Sequence, residues 1–111
     1  MNIDRVNAEM AKQIALIISR DLKDPRITGM ISVTKVSVTQ DLKFAKVYIS
    51  VLNGDAQTTF SIISGAAGHI RNELKSKVKI RTLPELKFFL DDSIEYGMKI
   101  ENILKDIKGG E

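Results

Sequence analysis

Basic side chains are concentrated in one short window of this 111-residue sequence, from position 71 to position 87. The window holds six basic and two acidic residues, so its net charge of +4 exceeds the +3 of the whole chain. The basic residues are Arg71, Lys75, Lys77, Lys79, Arg81 and Lys87. Cations gathered on one face attract and neutralise a polyanion, such as the phosphates of a nucleic acid. The alternative is an ordinary solvated surface, in which cations near the end of a helix interact favourably with its dipole.

Small residues lie directly before this window, at positions 65–68, where two glycines bracket two alanines. Such a stretch allows a kink, a tight turn between helices or the close approach of another backbone. Its spacing also matches the GxxG loop with which KH domains clamp nucleotides. Because alanine favours helix, the sequence leaves open whether these residues form a kink or a loop.

Residues that could support catalysis or bind a metal are scarce. The chain has no cysteine and one histidine, His69, which has no serine or carboxylate partner set beside it in the sequence. The best carboxylate cluster is Asp91, Asp92 and Glu95. Adjacent residues of a strand point to opposite faces, so Asp91 and Asp92 do not form a ready acid–base pair. No phosphate loop, dinucleotide fingerprint or zinc-protease motif is present, and we predict a protein that is not an enzyme and takes no cofactor or metal.

The periodicity of apolar residues predicts the elements that position the basic window. Apolar steps of three and four residues predict helices, and alternation predicts strands. We predict a helix over 2–22, strands over 30–39, 43–52 and 86–90, a helix over 56–78 interrupted at 65–68, and a last helix beginning near Asp92 or Ser93. Three strands with helices against one face make an α+β two-layer domain.

Local details accompany these elements. The alternation of the first strand slips by one near Thr34 and Lys35, which predicts a β-bulge. The next strand follows after a short turn, so the two should pair antiparallel. It carries Phe44 and Tyr48 on the face opposite its aliphatic residues. Asp55 is placed to cap the helix that begins at position 56.

The composition describes a single globular domain. Apolar residues make up 43% of the chain and charged residues 28%, which excludes a disordered or collagen-like protein. No apolar run approaches the roughly 20 residues that a membrane span requires. The N-terminus shows no secretory signal pattern, and we expect a cytoplasmic protein without membrane contact.

Five segments carry a resemblance to a known family. They are KDPRI at 23–27, DLKFAKVYIS at 41–50, AAGHIRNEL at 66–74, IRTLPELKF at 80–88 and DDSIEYG at 91–97. Each segment is short, but in this order and in a chain of this length they are specific. Together they resemble the bacterial ribosome-binding factor A family.

The resemblance implies a type II KH-like fold in which a kink at Ala66 and Gly68 replaces the nucleotide-clamping loop. It implies a non-enzymatic factor that binds the small (30S) ribosomal subunit and its 16S rRNA late in assembly. Such factors support maturation of the 5′ end of the rRNA precursor, and they matter most in the cold. An assembly GTPase is the functional partner that the resemblance implies.

We therefore expect one rRNA-binding domain over 1–111, acting as a monomer. The predicted phosphate contacts are Arg71, Lys75, Lys77, Lys79 and Arg81. Ala66 and Gly68 should let the RNA backbone approach, and the patch should extend over Lys12, Arg20, Lys23 and Arg26. Two alternatives stay open: a protein-interaction module using strand 30–39 or the Phe44 and Tyr48 face, and a generic single-stranded RNA binder with a working GxxG loop.

Overall fold

A computed structural model describes residues 2–78, 80 and 82–91 of the chain. The elements are α1 (Ile3–Asp21), β1 (Met30–Val38), β2 (Phe44–Leu52), α2 (Ala56–Gly65), α3 (Ala67–Leu74) and β3 (Glu85–Leu90). Their types and order confirm the predicted α+β domain. The predicted last helix lies outside the described residues.

Helix α1 lies against the sheet through its apolar stripe. Met10, Ile14 and Ile17 are fully buried, as the three- and four-residue spacing predicts. Asn2 caps its start by accepting a hydrogen bond from the Arg5 backbone N–H at 3.2 Å. The chain leaves the helix at Leu22, before the Asp24–Pro25 pair. None of the helices among the described residues is long and apolar enough to cross a membrane.

Strands β1 and β2 form the predicted antiparallel hairpin with a bulge. The register shifts between Val33 and Lys35, so Thr34 is the extra residue. Because of this shift, Val33 and Val36 lie opposite Ile49 and Val47 and belong to the same face of the sheet. The bulge therefore explains the phase slip that the sequence shows.

Strand β3 completes the sheet in the order β1-β2-β3 and runs parallel to β2. The alternation of apolar residues does not determine the direction of β3. A parallel partner needs a long crossover, and α2 and α3 supply it. All three helices contact the sheet, and the face of β2 that carries Ala45, Val47 and Ile49 is fully buried. Ile63, Ile70 and Phe88 are buried with them, whereas Phe60 is only partly buried at the edge of this core.

Helix α3 ends one turn earlier than predicted. The expected helix reached Val78, but α3 stops at Leu74 and residues 75–78 form a turn. The backbone N–H groups of Lys77 and Val78 both donate to the Leu74 carbonyl, at 2.9 and 3.0 Å. The Lys77 bond spans three residues instead of the four of an α-helix, which tightens the chain where α3 ends. Val78 is buried by this turn, and from it the chain returns towards β3.

The loop that precedes β1 and the loop that follows β2 pack tightly against each other, at the end of the hairpin away from its turn. We call Thr28, Gly29, Gly54, Asp55 and Thr59 the loop clamp. The Thr28 N–H donates to the buried Thr59 hydroxyl at 3.2 Å, and the Asp55 N–H donates to the Thr28 hydroxyl at 2.9 Å. A Cβ added at either glycine would lie closer than 3.0 Å to backbone atoms of the other loop. The clamp thus has room only for glycine at these two positions.

Candidate nucleic-acid interface

Residues 65–68 join α2 to α3, and we call them the α2–α3 joint. Ala66 has φ −93° and ψ 11°, which breaks the helix for one residue. Its N–H is shared between the carbonyls of Ile62 and Ile63, and its own carbonyl accepts from the Ile70 N–H at 3.0 Å. The backbone hydrogen bonds therefore run through the joint. This is the predicted helix-kink-helix, and the open GxxG loop that the sequence also allowed is not formed.

The two glycines of the joint face open space. Gly65 and Gly68 are exposed, and a Cβ added at either would meet nothing within 4 Å. Neither glycine has a positive φ. The fold would therefore accept a side chain at both positions. Because glycine has no side chain, the helix backbone is exposed here, and the backbone of another molecule can approach it closely.

Arg71 is held by the protein's own backbone. Its Nε donates to the Pro84 carbonyl at 3.1 Å, and its Nη2 donates to the Leu83 carbonyl at 2.6 Å. The side chain is half-buried and fixes α3 to the segment that leads into β3. Its predicted phosphate contact would have to use the N–H groups that remain, and this contact stays a prediction.

Lys75 and Lys77 are exposed but lie on different sides of Val78. Lys75 shares an open groove of about 410 Å³ with Arg71, at the end of α3. Lys77 lines a second groove with Arg5, against the start of α1. Lys79 and Arg81, which the sequence placed in the same patch, lie outside the described residues. Of the predicted phosphate contacts that the structure describes, Arg71, Lys75 and Lys77 thus lie around the end of α3 and divide between two grooves.

The four cations predicted to extend the patch divide into two kinds. Lys12 and Arg20 are exposed on α1. Lys23 donates to the Ser19 carbonyl at 3.3 Å, near the end of α1. Arg26 pairs with Asp24 at 2.7 Å, and this hydrogen-bonded pairing lowers the pKa of Asp24 to about 2. Lys23 and Arg26 therefore have local structural roles, and the contribution of all four to binding stays a prediction.

His69 has a carboxylate partner that the sequence does not reveal. Its Nε2 lies 3.0 Å from the Asp21 Oδ2, although the two residues are 48 positions apart. Glu73 lies one helical turn beyond His69, and ligand atoms of the three side chains lie within 4.8 Å of one another. The contact between Asp21 and His69 connects the end of α1 to α3, and this geometry supports a structural role. The prediction that the chain takes no metal stays a prediction.

The comparisons with known proteins agree on one family. The model of the family described as Ribosome-binding factor A matches residues 2–104. The ribosome-binding factor A of Clostridium novyi (strain NT) is 45% identical over 108 residues, which are 96% of this chain and 89% of that protein. The ribosome-binding factor A of Clostridium acetobutylicum is 48% identical over 109 residues, covering 96% and 90% of the two chains.

Solved structures share the fold at lower sequence identity. The crystal structure of ribosome-binding factor A from Thermus thermophilus superposes with a TM-score of 0.72 at 23% identity, over 81% of this chain and 97% of that chain. A homology model of the Thermus thermophilus factor, fitted into a cryo-EM map of its complex with the 30S subunit, gives a TM-score of 0.61 at 22% identity. It covers 81% of this chain and 91% of that one. These likenesses confirm the KH-like fold.

Proposed function

This chain belongs to the ribosome-binding factor A family, and we propose that it binds the small ribosomal subunit through 16S rRNA. The proposed surface is the α2–α3 joint with the exposed lysines that follow it. The observation that carries the proposal is the open space over Gly68 at the start of α3, on the same helix that ends at the exposed Lys75. A phosphate backbone can approach a surface without side chains, and neighbouring lysines can neutralise it.

Each part of this surface has a separate role in the proposal. Lys75, Lys77 and Lys79 contact phosphates and supply affinity that does not depend on base sequence. Arg71 positions the segment before β3 through its two carbonyl contacts. Ala66 sets the angle between α2 and α3 through its kinked backbone. Gly68 keeps the approach open.

The finer function is that of a non-enzymatic assembly factor in the cytoplasm. The complex with the 30S subunit is that of the Thermus thermophilus relative. We propose the same partner here because this chain belongs to the same family. We extend the proposal to late maturation of the subunit, including processing of the 5′ end of the 16S rRNA precursor, with the greatest need in the cold. Release with the help of an assembly GTPase belongs to the same proposal.

Co-sedimentation over a salt series tests the proposed site. The wild-type chain should pellet with purified small subunits but not with large subunits, and binding should fall steeply as salt rises. Reversing the charge at Lys75, Lys77 and Lys79 together should weaken binding and lower the slope of log K against log salt by roughly two to three. The matched control reverses three lysines outside the window, Lys99, Lys105 and Lys108, so that the net charge changes equally.

The outcomes separate the site from overall charge. Loss of binding in the window variant alone supports the proposed surface. Equal loss in both variants would mean that net charge, and not this surface, carries binding. Tight binding by the window variant at every salt concentration would show that the site is elsewhere. Binding of the wild-type chain that persists at high salt would favour the protein-interaction alternative.

A further inference from the structure

The face of the sheet opposite the helices combines aromatic and cationic side chains. We call this the outer sheet face and define it by Lys35, Phe44, Lys46, Tyr48, Lys87 and Phe89. Its three lysines are exposed, and Phe89 is 40% exposed. Three of the six aromatic residues of the chain gather here, although they are spread over positions 44–89 in the sequence. The parallel pairing of β2 with β3 brings them together.

The register aligns these side chains in rows across the strands. Lys46 lies opposite Lys87, and Tyr48 lies opposite both Lys35 and Phe89. Like charges directly opposite each other destabilise a sheet. Among the described residues no carboxylate pairs with any of the three lysines within 4.0 Å. A bound anion between Lys46 and Lys87 would remove this repulsion.

The aromatic rings are packed into a fixed arrangement. The rings of Tyr48 and Phe89 stack with centroids 5.4 Å apart and an interplanar angle of 25°. The Lys87 ammonium lies 4.3 Å from the centroid of the Phe44 ring. Tyr48 is half-buried and supports Phe89, whose exposed ring surface remains available for a third flat group. Rigid aromatic side chains of this kind lose little conformational freedom when they bind.

We propose that the outer sheet face binds single-stranded RNA. A base would stack on Phe89, and the flanking phosphates would contact Lys46 and Lys87. Exposed aromatics beside cations on a sheet are the combination with which sheet-based RNA-binding domains hold unpaired bases. A protein partner fits less well, because lysine is depleted where proteins bury surface against one another.

This inference rests on the proposed function and adds a second RNA contact to it. The α2–α3 joint belongs to the helical layer, and the outer sheet face is the other side of the sheet. A domain with both contacts would lie between two segments of rRNA, one of them unpaired. The two contacts differ in chemistry, because the joint offers phosphate contacts only, whereas the outer sheet face adds stacking.

Fluorescence anisotropy with a labelled eight-nucleotide oligouridylate and small-subunit co-sedimentation test the two contacts separately. Phe89→Ala should weaken oligonucleotide binding about tenfold, since one stacked base contributes that much. Phe89→Tyr should retain it, because the ring remains. The Lys46→Ala/Lys87→Ala pair should lower the salt slope by roughly 1.4. Leu16→Ala, which truncates an exposed apolar side chain of α1, is the matched control and should change nothing.

Thermal melts of each variant identify any loss of folding, and Phe89→Tyr supplies a folded comparison if Phe89→Ala melts early. Wild-type oligonucleotide binding by Phe89→Ala and by the lysine pair would overturn the inference. If charge reversal at Lys75, Lys77 and Lys79 still abolished subunit binding, the proposed function would stand without the outer sheet face. Subunit binding weakened by Phe89→Ala at every salt concentration, with oligonucleotide binding unchanged, would overturn the inference in favour of a protein contact.

Discussion

Two pairs of glycines stand in opposite relation to the fold. In the loop clamp, Gly29 and Gly54 lie so close that a Cβ on either would collide with backbone of the facing loop, and Gly29 also has φ +85°. In the α2–α3 joint, Gly65 and Gly68 have open space where a Cβ would be. The clamp glycines are required by packing. The joint glycines are not, which agrees with the proposal that an RNA backbone approaches the surface at Gly68.

We expect this contrast to separate effects on stability from effects on binding within one short chain. A methyl group in the clamp would have to move backbone atoms, whereas a methyl group in the joint would touch only solvent or a partner. Substitutions to alanine at the two places should therefore act on different measurements. Both places are tested with the same change, glycine to alanine, so each variant is a control for the other and only the surroundings of the added methyl group differ.

The largest effect is expected at the loop clamp. Gly29→Ala should lower the free energy of unfolding by about 2 to 4 kcal/mol, because alanine is strained at this positive φ and its Cβ meets the backbone of the facing loop. Urea unfolding followed by circular dichroism measures the change. A loss below about 0.5 kcal/mol would show that the two loops separate easily and that the clamp is not tight.

A smaller effect of opposite sign is expected at the α2–α3 joint. Gly68→Ala should raise the free energy of unfolding by about 0.5 to 1 kcal/mol, because alanine favours helix and nothing obstructs its methyl group. Small-subunit binding by the same variant should fall roughly fivefold if the rRNA backbone approaches there, which corresponds to about 1 kcal/mol.

Gly65→Ala is the matched variant for this prediction. It should leave binding unchanged if the contact is the Ala66–Gly68 kink, and it should weaken binding equally if a GxxG clamp operates. A stabilised Gly68→Ala protein with full binding would show that the joint is not a contact.

The smallest effect concerns pH and Asp55, the clamp residue that also caps α2. Hydrogen bonds from the Thr58 hydroxyl and then the Thr58 N–H lower the pKa of Asp55 below its usual 3.8. The stabilisation is therefore complete above the unfolded-state pKa of 3.8 and is lost as pH falls through the lower folded-state pKa. Asp55→Asn keeps a capping side chain but cannot titrate.

Melting temperatures at pH 6 and pH 3 measure this contribution. The decrease on acidification should be smaller for Asp55→Asn than for the wild-type chain. Thr58→Val, which removes the hydrogen bond that lowers the pKa most, should give an intermediate decrease. An unchanged decrease in Asp55→Asn would mean that other carboxylates carry the acid sensitivity.

The features that the sequence predicted correctly depend on neighbouring residues. The bulge at Thr34 follows from a slip of alternation, and the cap at Asp55 follows from one residue type before a helix. The small residues at 65–68 allowed either a kink or a loop, and the family resemblance, not the local sequence, implied the kink at Ala66. The bulge and the cap need only a few residues of local context, because strand and helix periods and caps are local properties.

The features that the sequence missed depend on residues far apart in the chain. The contact of His69 with Asp21 spans 48 positions, and the attachment of Arg71 to Leu83 and Pro84 requires the path of the chain after α3. The candidate interface shows the same division. Local spacing predicted the exposed Lys75 and Lys77, but the stacking of Phe89 on Tyr48 required the parallel register of β3.

That parallel register also has a consequence for how the chain folds. The hairpin closes through one short turn, whereas β3 can pair with β2 only after the whole stretch from Asn53 to Pro84 has been brought back. Closing a longer loop costs more entropy, and contacts between distant residues slow folding. We therefore expect the hairpin to precede β3 during refolding. Pulse-labelled hydrogen exchange would reveal this order, because the backbone amides that bond β1 to β2 would be protected before those that bond β2 to β3. Simultaneous protection of the two sets of amides would contradict it.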